Sequence, residues 1–241
     1  MDFIEGEILA FDKPYRWTSF DVVGKARWLI CRHLGIKKLK VGHTGTLDPL
    51  ATGVVVVCTG KKTKLIEQLQ QHKKQYEATL QLGATTPSFD LEKPIDQYYP
   101  TEHITRQMID DVIKKFIGEI WQVPPMFSAV KIDGKRAYSI ARKGEDAELK
   151  PKQLVIDNIE VIDFDEEKMQ LSLRIDCSKG TYIRALARDI GQALNSGAHL
   201  IALRRTRLGD IGVDDCMSFQ QFEQILNDVS DSRQTNQDNK N

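Results

Sequence analysis

Polar and apolar positions along the chain change period several times, and each change marks an element. Tyr76, Ala78, Leu80 and Leu82 alternate with Glu77, Thr79 and Gln81, the period of two expected of a strand with one buried face. Leu171, Leu173, Ile175 and Cys177 repeat that alternation over 168–177, and another strand is read over 153–163. Phe20, Val22, Val23, Ala26, Leu29 and Ile30 instead recur at helical spacing, which predicts a helix from an N-cap at Ser19 to near Gly35. Thr105 is placed to cap a second helix carrying Met108, Ile109, Val112, Ile113 and Phe116. Helices are also read over Lys61–Gln71 and 181–195, and strands over Ile8–Phe11, Val54–Val57 and 199–206.

The remaining segments carry turn chemistry or charge. Gly42 to Gly53 has the glycine, threonine and proline content of a loop. Residues 124–150 read as an exposed excursion with at most a short helix. After Gly212 one helix fits, with Phe219, Phe222, Ile225 and Leu226 on it. From Ser230 on the chain has no apolar residue, which predicts disorder. Strand pairs without regular βαβ crossovers predict an α+β fold, a mixed and largely antiparallel sheet flanked by helices. The expected division is one domain over 1–212, a short helical extension over 213–229 and a tail over 230–241. No second domain of ordinary size fits after the core.

Composition adds bounds. The chain has 241 residues, 41% hydrophobic and 28% charged, an ordinary globular composition that needs no disulfide or metal staple. Cys31, Cys58, Cys177 and Cys216 lie far apart without a CxxC pair, which predicts free thiols in a reducing cytoplasm. No secretory signal is visible, and Val54–Cys58 is far too short to span a bilayer. The 34 basic and 34 acidic residues balance, which at first argues against a nucleic-acid partner. Segregation of the charge reverses that inference. Residues 11–80 carry 13 bases against 5 acids, and 174–207 carry 7 against 2. Residues 153–167 hold six acids and no base, and 208–241 hold seven acids against two bases. A dipolar protein is expected, with a basic face and an acidic back.

Candidate chemistry is confined to two stretches. Gly60-Lys61-Lys62-Thr63 echoes the end of a phosphate-binding loop but has the wrong glycine spacing, and no dinucleotide fingerprint follows a strand. The five histidines show no ligand spacing, so neither metal nor cofactor is expected. In Gly42–Gly53, Pro49 holds Asp48 extended. An acid fixed there suits a nucleophile or a general base, although Asp-Pro is also an ordinary turn starter. In Cys177–Arg184 a strand hands over to a helix, and Arg184 could pair with a carboxylate from another loop or simply face solvent.

The motifs GHTGTLDPLATG at 42–53, DKP at 12–14, KKQYEATLQLG at 73–83, PPMFSAVKIDGKRAYSIARKG at 124–144, CSKGTYIRALARDIG at 177–191 and GAHLIALRRTRLG at 197–209 closely resemble the TruB pseudouridine synthases. The resemblance runs in order through nearly all of residues 6–212. It implies a pseudouridine synthase core with the 124–150 excursion as an inserted RNA-binding element, and isomerisation of uridine at position 55 in the T-loop of transfer RNA. It implies Asp48 as catalytic aspartate, Tyr76 as the aromatic that stacks on the base, and Arg184 as the partner of the aspartate. His43 would help open the T-loop, and Tyr182 and Leu203 would line the uridine pocket. Lys64, Lys131, Lys135, Arg136, Arg204 and Arg205 would face RNA. No cofactor and no membrane are implied, and the family suggests a monomer. The family's Thr-Asp-Thr-x-Asp stretch here reads Thr86-Pro87-Ser88-Phe89-Asp90, which changes the local turn. The C-terminal PUA domain of many bacterial members is not expected in so short a chain. The rival readings are a transfer RNA folding chaperone, a synthase acting on another uridine, and a base-removing glycosidase.

Overall fold

In the computed structural model, residues 1–128, 131–132, 135–137 and 149–238 are described. Along the chain, strand β1 (Ile8–Lys13) leads into helix α1 (Ser19–Leu34). Strands β2 (Val41–His43) and β3 (Thr52–Thr59) flank a loop, and a 3-10 turn over Gly60–Leu65 continues into helix α2 (Ile66–Gln70). Strand β4 (Lys74–Leu82) is followed by the short pair β5 (Ala84–Thr85) and β6 (Gln97–Tyr98), helix α3 (Arg106–Lys114) and strand β7 (Gly118–Gln122). A small hairpin, β8 (Lys131–Ile132) and β9 (Lys135–Arg136), precedes the long strands β10 (Lys152–Asp165) and β11 (Gln170–Cys177). Helix α4 (Ile183–Ala193), strand β12 (Ala198–Leu208), strand β13 (Ile211–Gly212) and helix α5 (Phe219–Asp238) complete the order.

The chain forms two compact units: Met1–His72 with the residues from Arg204 on, and Lys73–Leu203. The sequence reading treats 1–212 as one domain. No change of composition marks either dividing point, because β12 runs unbroken through the second.

In the first unit, β3 pairs antiparallel with β1 and β2, and parallel with β12 through Arg204↔Thr52 and Arg205↔Gly53. Val54 to Cys58 are all buried, as a continuous apolar strand must be when both its faces are covered. Helix α1 turns Val22, Val23, Ala26, Leu29 and Ile30 inward, the valines, leucine and isoleucine each contributing about 1.5–3 kcal/mol relative to exposure. Phe11 stacks on Phe219 at 4.7 Å between ring centroids and meets Phe222 edge-on at 5.3 Å.

Two details of α1 differ from the sequence reading. Its N-cap is Thr18, whose hydroxyl accepts from the Asp21 amide while the Asp21 carboxylate accepts from the Thr18 amide. That reciprocal box outcompetes Ser19, which is buried and serves the loop described below. Phe20 is 67% exposed rather than part of the apolar stripe.

The second unit is a sheet in the order β12-β4-β11-β10-β7. Register is antiparallel for β4 with β11, β11 with β10, and β10 with β7. The matched alternation of β4 and β11 sets Leu80 opposite Leu171, Ala78 opposite Leu173 and Tyr76 opposite Ile175, all buried. A one-residue slip would turn this whole face to water.

The expected mixed, largely antiparallel α+β architecture is observed. Lys61–Gln71 divides into a 3-10 turn and a short helix, with Gly60 at a φ of +51° and Thr63 Oγ1 donating to the Gly60 carbonyl. The excursion contains the β8–β9 hairpin; residues 129–130, 133–134 and 138–148, and with them the expected short helix, lie outside the described residues. The last helix continues past Ser230 to Asp238, where composition predicts disorder. Neither proline nor glycine interrupts 219–238, so the backbone can stay helical beyond the turns anchored by Phe222 and Leu226. Among the described residues no helix is long and apolar enough to cross a membrane. All four cysteines are unpaired.

Candidate active site

Three side chains from outside the loop fasten Gly42–Gly53 within the first unit. Ser19, at the start of α1, accepts from the Leu47 amide at 2.8 Å and donates back to the Leu47 carbonyl. Lys13, at the end of β1, is fully buried, and its ammonium reaches the carbonyls of Trp17 (2.6 Å), Pro14 (3.1 Å) and Pro49 (3.3 Å). Arg205 of β12 is 1% exposed; its Nε donates to the Val54 carbonyl at 2.7 Å and its Nη2 to the Gly45 carbonyl at 3.4 Å. The loop is thereby tied to a helix and two strands through its own backbone carbonyls.

Asp48 sits half-buried between these ties, its carbonyl accepting from the Ala51 amide. Burial lowers the Lys13 pKa to about 8, and the Asp48 carboxylate is the first of the charges opposing that shift. Asp48 therefore lies in the field of a buried cation.

Gly53 closes the loop at a φ of +104°, and a Cβ there would stand 2.2 Å from the Arg205 carbonyl oxygen. Only glycine allows β12 to approach β3 at that point.

His43 ends β2. Its Nδ1 accepts from the Gly45 amide at 3.2 Å, which in the neutral ring leaves the proton on Nε2. The exposed ring of Phe20 meets it edge-to-face at 5.3 Å. Burial lowers the His43 pKa below 6.5, and the Arg205 charge adds to the shift. The folded state thus disfavours the imidazolium. The stability His43 contributes is present above pH 6.5 and is lost as pH falls through the lowered folded value. In an NMR titration the imidazole carbon-bound protons should report a midpoint below 6.5. A midpoint at or above 6.5 would contradict this environment.

The basic residues expected to face RNA divide. Lys64 is exposed on the 3-10 turn. Arg204 makes a two-pronged ion pair with Asp12, at 2.7 and 3.2 Å, and also reaches Thr52. Arg205 is a correction: its buried guanidinium is spent on the carbonyls of Val54 in β3 and Gly45 in the loop, away from any phosphate at the surface. Arg205→Met should destabilise the fold by about 3 kcal/mol, as two carbonyls lose a charged donor. The salt dependence of RNA binding should stay unchanged, measured by urea denaturation and by binding at several salt concentrations. Lys131, Lys135 and Arg136 stand on the β8–β9 hairpin, with Lys131 opposite Arg136.

The second unit holds Tyr76, Tyr182, Arg184 and Leu203. Tyr76 is 7% exposed on β4, and Leu203 is half-buried on β12. Tyr182 is the N-cap residue of α4. The buried Gln122 serves its backbone twice, accepting from the Tyr182 amide and donating to its carbonyl. Arg184, 5% exposed in the first turn of α4, donates to the Phe127 carbonyl at 2.9 Å and the Ser88 carbonyl at 3.3 Å; its Nε lies 3.7 Å from an Asp90 oxygen.

The altered 86–90 stretch builds this environment. Thr86 Oγ1 donates to the Asp90 carbonyl at 2.7 Å, the Phe89 amide closes a turn on Thr86, and Phe89 adopts a φ of +61°. The turn presents both Ser88 and Asp90 to Arg184, and the Arg188 guanidinium lies 5.0 Å from the Phe89 ring centroid. Ser19 and Gln122 escape a motif-based choice of functional residues, because each acts by holding another residue in place and its one sequence signal is a polar residue beside an apolar run. Lys13 and Asp90 lie inside the DKP motif and the 86–90 stretch, which mark them without giving them a role.

The model of the TruB family pseudouridylate synthase N-terminal domain matches residues 32–183, more than half of the chain. The chain belongs to the TruB family. The model of the tRNA pseudouridylate synthase B C-terminal domain matches residues 184–236. Proteins named tRNA pseudouridine synthase B are 64% identical in Phocaeicola vulgatus, over 94% of this chain and 95% of the relative, and 48% identical in Flavobacterium johnsoniae, over 93% and 98%. Among solved structures, a Cbf5-Nop10-Gar1 complex superposes with a TM-score of 0.67 at 29% identity over 92% of this chain. A structure of an H/ACA RNP bound to a substrate RNA containing 2'-deoxyuridine superposes with a TM-score of 0.65 at 28% identity, also over 92%. This chain spans about half of those two solved chains, 54% and 53%. The α+β fold is that of the pseudouridine synthases, and the TruB chain is an enzyme of that class.

Proposed function

We propose that this TruB chain isomerises uridine 55 in the T-loop of transfer RNA to pseudouridine. In that reaction the bond from ribose C1′ to uracil N1 breaks and a bond from C1′ to C5 forms. The proton on C5 is lost and N1 gains one, so the atoms balance without a co-reactant. Asp48 is the catalytic carboxylate, acting at C1′ or at C6 or by stabilising a charged intermediate. Tyr76 stacks on the extruded base, which offsets part of the few kcal/mol lost when a base leaves its stack. Arg184 balances the carboxylate, Tyr182 and Leu203 line the uridine pocket, and His43 helps open the T-loop. Lys64 and the hairpin residues Lys131, Lys135 and Arg136 meet the RNA backbone.

The observation that supports this reading is the Gly42–Gly53 loop, a family motif whose backbone on either side of Asp48 is held by three buried side chains, one of them the Lys13 cation whose field reaches that aspartate. Incubation with an unmodified transfer RNA transcript, followed by chemical mapping of pseudouridine, tests it. A new signal at the T-loop uridine is expected. Modification of a different uridine, or release of free uracil, would overturn the assignment of substrate or of reaction.

A further inference from the structure

We propose that the outward face of α1 and the lysines that follow it form a second RNA-binding surface, beginning at His43 and gripping the backbone of the same substrate RNA. The surface rests on the proposed function for the identity of the RNA, and on the first unit alone for its geometry. The inward face of α1 is committed to the core; the outward face carries aromatic rings in water. Phe20 is 67% and Trp28 52% exposed, about 12 Å apart along the helix axis at 1.5 Å per residue.

Trp28 is bracketed by cations, with the Lys25 ammonium 4.9 Å and the Arg32 guanidinium 5.4 Å from its ring centroid. Arg27, Arg32, Lys37 and Lys38 are exposed. Residues 18–40 hold six lysines and arginines against one acid, Asp21, and that carboxylate is occupied in the N-cap. The Lys25 ammonium also pairs with Glu223 of α5 at 2.9 Å, so the exposed cations offered to a ligand are Arg27, Arg32, Lys37 and Lys38. Rings interleaved with these suit a nucleic acid, whose phosphates meet the cations while a base or sugar covers the ring. A protein partner fits less well, because interface cores are poor in lysine. The location follows from Phe20, whose ring touches His43. An RNA opened at His43 meets Phe20 next and then runs along α1.

The test compares the wild-type chain with R27Q/R32Q, with K37Q/K38Q and with W28A, all on one unmodified transfer RNA transcript. The lysine pair follows the helix and leaves its packing intact, which keeps the test valid if an α1 variant folds poorly. Each double variant should weaken binding about tenfold at low salt and flatten the slope of log affinity against log salt by about 1–2. W28A should weaken binding about tenfold with an unchanged slope, as loss of one stacking contact does. The single-turnover rate at saturating RNA should stay within about twofold of wild type, since no reacting group is touched. Wild-type affinity and slope in both double variants would overturn the surface. A change of oligomeric state with an unchanged slope would overturn it too, in favour of a protein interface. Wild-type chain that binds the transcript without modifying its T-loop uridine would overturn the proposed function, while the slopes still decide the surface.

Discussion

Replacing Asp48 with asparagine is expected to abolish pseudouridine formation while leaving transfer RNA binding within about twofold of wild type. The substitution preserves the shape of the side chain and removes its charge. The ties on the loop from Ser19, Lys13 and Arg205 act through the backbone atoms of Leu47, Pro49 and Gly45, so the loop keeps its course. What disappears is the carboxylate to which the proposed function gives the role of nucleophile, base or electrostatic stabiliser, and the expected loss is about 10²–10⁴-fold or more in rate. Single-turnover mapping of the T-loop uridine, read beside a binding isotherm on the same transcript, separates the two effects. A variant retaining a tenth of the wild-type rate would remove Asp48 from the catalytic role. A variant that lost binding and rate together would make the residue structural.

The second large effect is on stability. Gly53→Ala should destabilise the chain by about 3 kcal/mol or more, the sum of backbone strain at a positive φ and of overpacking. The added Cβ meets the Arg205 carbonyl oxygen at 2.2 Å, and the Arg205 amide nitrogen and carbonyl carbon at 2.9 Å. These are backbone atoms of a paired strand and cannot turn aside. Relief requires β12 to move from β3, which draws Arg205 off the Val54 and Gly45 carbonyls. Activity should therefore fall along with the denaturation midpoint. Gly24→Ala is the contrast: a Cβ there meets nothing within 4 Å, and the change should stabilise α1 by about 0.5–1 kcal/mol. Urea denaturation of both variants checks the pair. Equal midpoints for Gly53→Ala and wild type would mean that β3 and β12 can separate at no cost, contrary to the packing.

Elements whose signal is local follow the sequence closely. The alternation in 76–82 and 171–177 is the burial of β4 and β11, and the spacing of Val22, Val23, Ala26, Leu29 and Ile30 is the buried stripe of α1. Thr105 caps α3 as its position predicts. Where several local signals compete, the outcome is shifted by a residue or two. Thr18 displaces Ser19 as N-cap because a partner for its amide stands three residues on. The motif GHTGTLDPLATG likewise marks its loop and its aspartate without any tertiary information, because the family resemblance is itself carried by local sequence.

Roles that depend on a distant partner are another matter. Arg204 and Arg205 are adjacent and chemically identical, and the sequence assigns both to RNA. Strand alternation sends them to opposite sides of β12, one to an ion pair with Asp12 and the other into the core beneath the Gly42–Gly53 loop. Arg205 meets its acceptors 151 and 160 residues away in sequence. Arg184 meets Ser88 across 96 residues, in a turn that the sequence marks only as departing from the family pattern and whose carbonyl accepts from the arginine. Phe20 sits one position outside the arc of α1 that the core covers, a matter of helix rotation that apolar spacing alone does not settle. The sequence by itself determined the longer helices and strands, the family and the candidate aspartate, because propensity, period and motif are properties of neighbouring residues. Short strands such as β2 and β7 form only against a partner. Only the tertiary structure decided which cations are buried anchors and which face water, because burial is set by strand pairings between residues far apart along the chain.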